Sequence, residues 1–163
     1  MDFIQLQSWA NGDAEQGKWM LSFSVLLVLL FILVLRSENT LLRGMMIPIF
    51  LLLVLNTCYG TYLVMNRIRY AAEINQKFKK DAQKTVAAEY RKTKNDEKSY
   101  TVFRIVWAML TIISLILCFI FTADYYRGLS LGFTGLFFGL LCIDTFLHYR
   151  ISLYFADLQS LLS

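Results

Sequence analysis

The chain has 163 residues, of which 57% are hydrophobic and only 17% charged, with 13 Phe, 9 Tyr and one Pro. A soluble domain usually has about a quarter of its residues charged, and one of this length has too little interior for so much apolar surface, so composition excludes an ordinary water-soluble protein. The net charge of +4 suits anionic lipid headgroups beside membrane spans, and no nucleic acid is expected as a partner.

In chain order, residues 1–12 place Phe3, Ile4, Leu6 and Trp9 in a short amphipathic stretch, expected to lie flat at the membrane interface with Trp9 as its anchor. Asn11-Gly12 is a turn signal. Asp13 then serves as a helix cap, with Gln16 as its capping-box partner. A first transmembrane hairpin follows over residues 13–66, with spans of about 18–35 and 45–65. Each is near the ~20 apolar residues that cross a bilayer. The first span lacks a small-residue cleavage site and is not read as a signal peptide. Arg36–Arg43 joins the two, and Pro48 is expected in the first turns of the second; if that helix starts at an Asn39 or Thr40 cap, Pro48 kinks it. Asn56 and Thr57 are candidate intramembrane polar contacts. A buried Asn requires a partner, either across to another helix or as a coordinating group in a transport path.

Residues 67–104 form a basic connector. Ile68, Ala71 (or Ala72), Ile74, Phe78, Ala82, Val86 and Tyr90 give it an apolar stripe at near-helical spacing. One unbroken helix to Lys94 would run about 40 Å and leave too few residues to return. A break at Lys79-Lys80-Asp81 is therefore expected, with Asp81 capping a second helix and Thr93–Asp96 forming a further turn. The pieces either fold as a helical hairpin or rest on headgroups.

The second hairpin covers residues 105–148, with spans of about 105–123 and 129–147. Gly132, Gly135, Gly139 and Cys142 make a small-residue helix-packing face. It is expected to meet Ala108, Thr111, Ser114 (or Leu115), Cys118 and Thr122 of the third span; a homodimer seam or a pore lining is the alternative. Residues 149–163 form an amphipathic helix with Ile151, Tyr154, Leu158 and Leu161 on one face, which suits the membrane surface, the middle segment or a partner chain equally.

The fold class is thus all-α: a four-helix transmembrane bundle of two hairpins, with a cytoplasmic helical connector and interfacial terminal helices. Of the 16 basic residues, thirteen lie with the termini and connector and three (Arg36, Arg43, Arg127) on the opposite side. The positive-inside rule then places both termini and residues 67–104 in the cytoplasm of a bacterial inner membrane. Cys58, Cys118 and Cys142 all sit inside apolar runs, without metal or CxxC spacing, and are read as small packing residues.

Ionisable groups gather at one depth: Glu15, Lys18, Arg67, Arg69, Arg104, Asp144, His148 and Arg150. Asp144 and His148, four apart, share a helical face and form a candidate pair. The rim serves as interfacial salt bridges, as an ion or partner site, or as a headgroup site built on Arg67, Arg69 and Arg104. No nucleophile–base pair, phosphate loop or metal-ligand cluster is present, so no catalytic residue, metal or cofactor is expected.

Three short patterns, W-A-N-G-D followed by Q-G-K (Trp9–Asp13, Gln16–Lys18), G-M-M-I-P (Gly44–Pro48) and D-x5-R-I-x2-Y (Asp144, Arg150, Ile151, Tyr154), resemble those of a family of small bacterial four-span integral membrane proteins. The resemblance implies the same layout and a shared role for the rim, but no activity. The expected function is non-enzymatic binding of a partner protein, as an accessory or toxin-immunity protein. A homo-oligomeric ion channel or small transporter and a lipid-headgroup-binding protein are the alternatives.

Overall fold

The computed structural model describes residues 4–162, the side chains of 161 and 162 excepted. Phe3 and the Leu161 side chain, which end two of the expected stripes, therefore lie outside the described residues. Four helices account for nearly all of the rest: α1 (Ile4–Arg36), α2 (Thr40–Lys80), α3 (Ala82–Ile120) and α4 (Asp124–Leu162). The fold is an all-α four-helix bundle.

The helices are 33, 41, 39 and 39 residues long. At 1.5 Å per residue the longer three approach about 60 Å, roughly twice the hydrocarbon thickness of a bilayer. Each therefore has a membrane half and an extension, and all four extensions lie at the end that carries both termini. In the membrane half the apolar side chains point outward. Phe23, Leu26 and Leu33 of α1 and Ile112, Ile116 and Phe119 of α3 are exposed, a surface that water would not tolerate. All four helices are long and apolar enough to cross a membrane, and the chain is an integral membrane protein.

The extensions correct two expectations and decide between alternatives in a third. Residues 1–12 were expected to lie flat, yet the described part of that segment continues the axis of α1 through Asn11-Gly12 without a turn. Thr93–Asp96, expected to turn, lies inside α3, and the tail continues α4 and packs on the connector, one of the three placements its stripe allows. One physical reason covers all three. Straight extensions let the four apolar stripes close on a common core of Leu6, Ala10, Ala71, Ile74, Val86, Tyr154 and Leu158. Aromatic pairs flank it: Trp9 stacks on Tyr154 at 5.1 Å and Tyr90 on Phe155 at 4.9 Å. The turn signals at Asn11-Gly12 and Thr93–Asp96 are weak local preferences, and the burial overrides them.

Only the break at Asp81 occurs. Its backbone is extended; its N–H closes α2 on the Lys77 carbonyl, and its carboxylate accepts from the Lys84 N–H to open α3. Asn39 opens α2 in the same way, accepting from the Leu41 N–H at 2.9 Å. The connector is thus a helical hairpin.

Within the bundle α2 and α4 are the central pair, α1 lies on α2 and α3 on α4, while α1–α4 and α2–α3 touch much less. The small-residue face of α4 does not meet α3 as expected; it turns toward α2. A Cβ on Gly132 would stand 2.8 Å from Pro48 Cγ, and one on Gly139 would stand 3.4 Å from Leu52 Cδ1. Nearer the α3–α4 turn the backbones themselves meet: a Cβ on Gly128 would overlap the Leu41 carbonyl, and one on Gly44 the Tyr125 carbonyl. The α3–α4 seam is occupied by larger groups, with Trp107 stacked on Phe137 at 6.1 Å. Glycine is therefore most useful on the other side of α4, where close approach is needed.

Candidate functional site

Where the extensions leave the membrane half, α1, α2 and α4 enclose a knot of charge. Asp13 is 1% exposed, and its Oδ2 lies 3.1 Å from Arg67 Nε. The N–H of that contact is not aimed along it, and Asp13 Oδ1 is buried without a hydrogen bond, so the pair is held by charge more than by directed bonding. The Arg67 guanidinium also sits 4.6 Å over the Trp9 ring, a cation–π contact. Arg150 enters from α4 against Gly12, where a Cβ would stand 2.9 Å from Nη1. Burial pushes the Asp13 carboxyl up to about 6, against the opposing pull of Arg67 and then Arg150. Asp13 is not the cap expected of it. Gln16, expected to complete that cap, instead donates across the bundle to the Ile143 carbonyl at 3.2 Å.

The expected rim divides. Glu15, Lys18 and Arg69 are exposed, while Arg67, Arg104, Asp144, His148 and Arg150 are partly buried. Asp144 and His148 do not pair with each other. Asp144 Oδ2 accepts from Trp107 Nε1 at 2.7 Å, and His148 Nε2 shares a hydrogen bond with Thr101 Oγ1 at 3.0 Å. Both partners come from α3, which lies alongside and reaches each group separately. Arg104 is close enough to act electrostatically on Asp144.

Because α2 and α3 diverge, a cavity of about 600 Å³ opens between them. Its inner wall is apolar, with Leu55, Met20, Leu140 and Ile143. Its outer part carries Arg67, Lys92, Asp96 and Ser99, and Tyr59, Tyr100 and Trp107 lie between. Tyr59 and Tyr100 join hydroxyls across the gap at 3.3 Å. Tyr62 of α2 and Phe103 of α3, 49% and 50% exposed, form the lips, so the cavity faces sideways. Lys92 Nζ lies 3.8 Å from the centre of the Tyr70 ring, whose hydroxyl donates to Glu89 at 2.6 Å.

A second groove of about 430 Å³ runs between α1 and α4 and is almost wholly apolar, lined by Trp19, Phe23, Leu52, Asn56 and Gly135 among others. The amide of the buried Asn56 donates to the Leu52 carbonyl of its own helix, and the Thr57 hydroxyl to Leu53. The expected interhelical bond is therefore not made: the preceding turn already offers a carbonyl within reach. Asn56 and Asp144 line different cavities.

Sequence reasoning missed Asp13 as a buried charge and missed Lys92, Asp96, Ser99, Tyr100 and Trp107 as a shared wall. A signal exists for both. Leu6, Ala10, Asp13, Gly17 and Met20 are spaced 4, 3, 4 and 3, so Asp13 lies within a buried stripe. Lys92, Asp96, Ser99 and Phe103 repeat the spacing on α3. No family model, curated protein or solved structure matches the chain.

Proposed function

We propose that the protein binds a membrane amphiphile, which enters sideways between α2 and α3 with its polar end toward Arg67 and Lys92 and its apolar end along Leu55, Leu140 and Ile143. The observation that carries this reading is the polarity gradient of the lateral cavity: charged in the extensions, apolar in the membrane half. A lipid at that depth has the same gradient. The separation of Asn56 from Asp144 supports a binding role over a conduction path. Binding of a partner protein is the second reading, supported by the apolar α1–α4 groove, where Gly135 meets nothing within 4 Å.

Ser99→Trp tests the first reading. Ser99 is exposed on the cavity wall, so the indole fills the space without entering the bundle core. The variant should remain monodisperse in mild detergent yet bind added lipid at least about fivefold more weakly, near 1 kcal/mol. Undiminished binding would remove the reading.

In our reading the basic end faces the cytoplasm of a bacterial inner membrane, since thirteen of the 16 Lys and Arg residues lie there. After replacement of the native cysteines by serine, Glu38→Cys should react with a membrane-impermeant maleimide in intact cells and Lys80→Cys should not. The opposite pattern would reverse the orientation.

A further inference from the structure

We infer that the apolar groove between α1 and α4 is a further lipid site, which takes a neutral single-chain lipid whose head donates a hydrogen bond to Gln16 Oε1, as a long-chain alcohol does. This stands apart from the α2–α3 cavity and competes with the partner-protein reading for the same groove.

Two direct contacts fix the register of the groove. Gln16 Nε2 donates to the Ile143 carbonyl at 3.2 Å, and a Cβ on Gly12, one turn outward, would stand 2.9 Å from Arg150 Nη1. Gln16 therefore lies just inside the charged knot, and the groove runs from there toward Phe23 on α1 and Gly135 on α4. From Phe146 to Gly135 it covers about 16 Å at 1.5 Å per residue. That is about half of the ~30 Å hydrocarbon core, the depth that a chain of one leaflet fills. Trp19, Phe138 and Phe146 on its rims are exposed, so the groove opens sideways to lipid. At its floor a Cβ on Gly135 would meet nothing within 4 Å. A helix 10–12 Å across would need roughly 1,300 Å³ to fill that length, about three times the 430 Å³ of the groove. An alkyl chain is the occupant of the right width.

Charge and hydrogen bonding choose the head. The described residues that line the groove are all uncharged. The nearest charges are Asp13, Arg67 and Arg150, which face one another in the knot, and Glu15 and Lys18, which are exposed on α1. None of them lines the groove, so a charged head would be buried there without a counter-charge, at a cost. Two amides remain. Asn56 donates to the Leu52 carbonyl at 3.1 Å and Gln16 to that of Ile143, but Gln16 Oε1 is buried without a hydrogen bond, in a residue 8% exposed. The terminal torsion of glutamine is soft, so a small turn of the amide presents this oxygen to the groove. The unmet group is an acceptor. An ether or an ester brings it nothing; a hydroxyl completes it.

The test uses the full chain, delipidated in detergent, with binding of radiolabelled hexadecanol, hexadecyl methyl ether and the palmitate anion measured separately. Hexadecanol should bind about tenfold more tightly than either of the others. Gln16→Met should erase that preference. Gly135→Leu, with the wild-type melting profile, should weaken hexadecanol at least about tenfold by filling the groove, and Ser99→Trp should leave it unchanged. If the ether or palmitate binds the wild type as well as hexadecanol does, the inference falls, whether or not Gln16→Met folds. A preference that survives Gln16→Met also overturns it. Hexadecanol binding untouched by Gly135→Leu removes the groove as the site. Binding lost in Ser99→Trp and kept in Gly135→Leu moves the alcohol to the α2–α3 cavity, which overturns this inference and leaves lateral binding standing. With Cys58 and Cys118 replaced by serine, a Cys142 disulfide between two copies on mild oxidation, abolished by Gly135→Leu, would show a second copy of the chain in place of the lipid.

Discussion

A single methyl group added at Gly128 is expected to lower the melting temperature by about 5–10 °C, or to prevent isolation of a monodisperse protein. Gly128 lies where α4 crosses α2, and its missing side chain faces the Leu41 carbonyl and Cα. The opposing group is backbone, so no rotamer change makes room; one helix must move. Overpacking of this kind costs about 1–3 kcal/mol and sometimes more, and each kcal/mol is worth roughly 2–4 °C in a chain of this size. Gly44 faces the Tyr125 carbonyl in the same crossing, so a helix shift forced by Gly128→Ala also relieves Gly44→Ala. The double variant should lose less than the sum of the singles. The control is Gly135→Ala, whose added methyl meets nothing within 4 Å and should change stability by no more than about 0.5 kcal/mol. Equal melting temperatures for Gly128→Ala and Gly135→Ala would show that α2 and α4 do not cross where these glycines put them.

The same crossing shows which parts of the fold the residues disclose in advance. The four spans are legible because apolar length alone identifies them. Asp81 is legible because the chain must reverse near it and a carboxylate can accept from the N–H groups that open the next helix. The partner of the glycine face was not legible. Spacing shows that Gly132 and Gly139 share a side of α4, but both α2 and α3 offer surfaces, and the choice depends on how Pro48 and Trp107 fit against it. The N-terminal segment was misjudged, and the C-terminal one left open among three placements, for a related reason. Phe3 to Trp9 and Ile151 to Leu161 each have one apolar face, which suits a membrane surface and a bundle core equally well. Only the presence of the other extensions makes the core available. Asp144 and His148 illustrate the limit for sites: four residues apart on one helix, each found a partner on α3 before it could find the other.

Acidification is expected to stabilise the protein, and Asp13 supplies the largest identifiable contribution. Its carboxyl rises from 3.8 unfolded to about 6 folded because burial penalises the charged form. The folded state therefore holds this proton more tightly than the unfolded state. The stabilising contribution is complete below about pH 3.8 and fades as pH rises through about 6. Between pH 7.5 and pH 5 this one group should add about 1.4 kcal/mol, a few degrees of melting temperature. Asp13→Asn keeps the shape and removes the titration, so the melting temperature of the variant should rise less than that of the wild type between pH 7.5 and pH 5. Arg67→Gln acts in the opposite direction. It takes the nearest cation from a carboxylate that is 1% exposed, leaving Arg150 as the remaining partner from α4. Stranding a buried charge costs about 3–5 kcal/mol, so the deficit should be severe at pH 7.5. It should shrink at pH 5, where Asp13 takes up a proton and no longer requires the guanidinium. A deficit of the same size at both pH values would mean that Arg67 supports the bundle through its packing on Trp9, and that the ion pair contributes little.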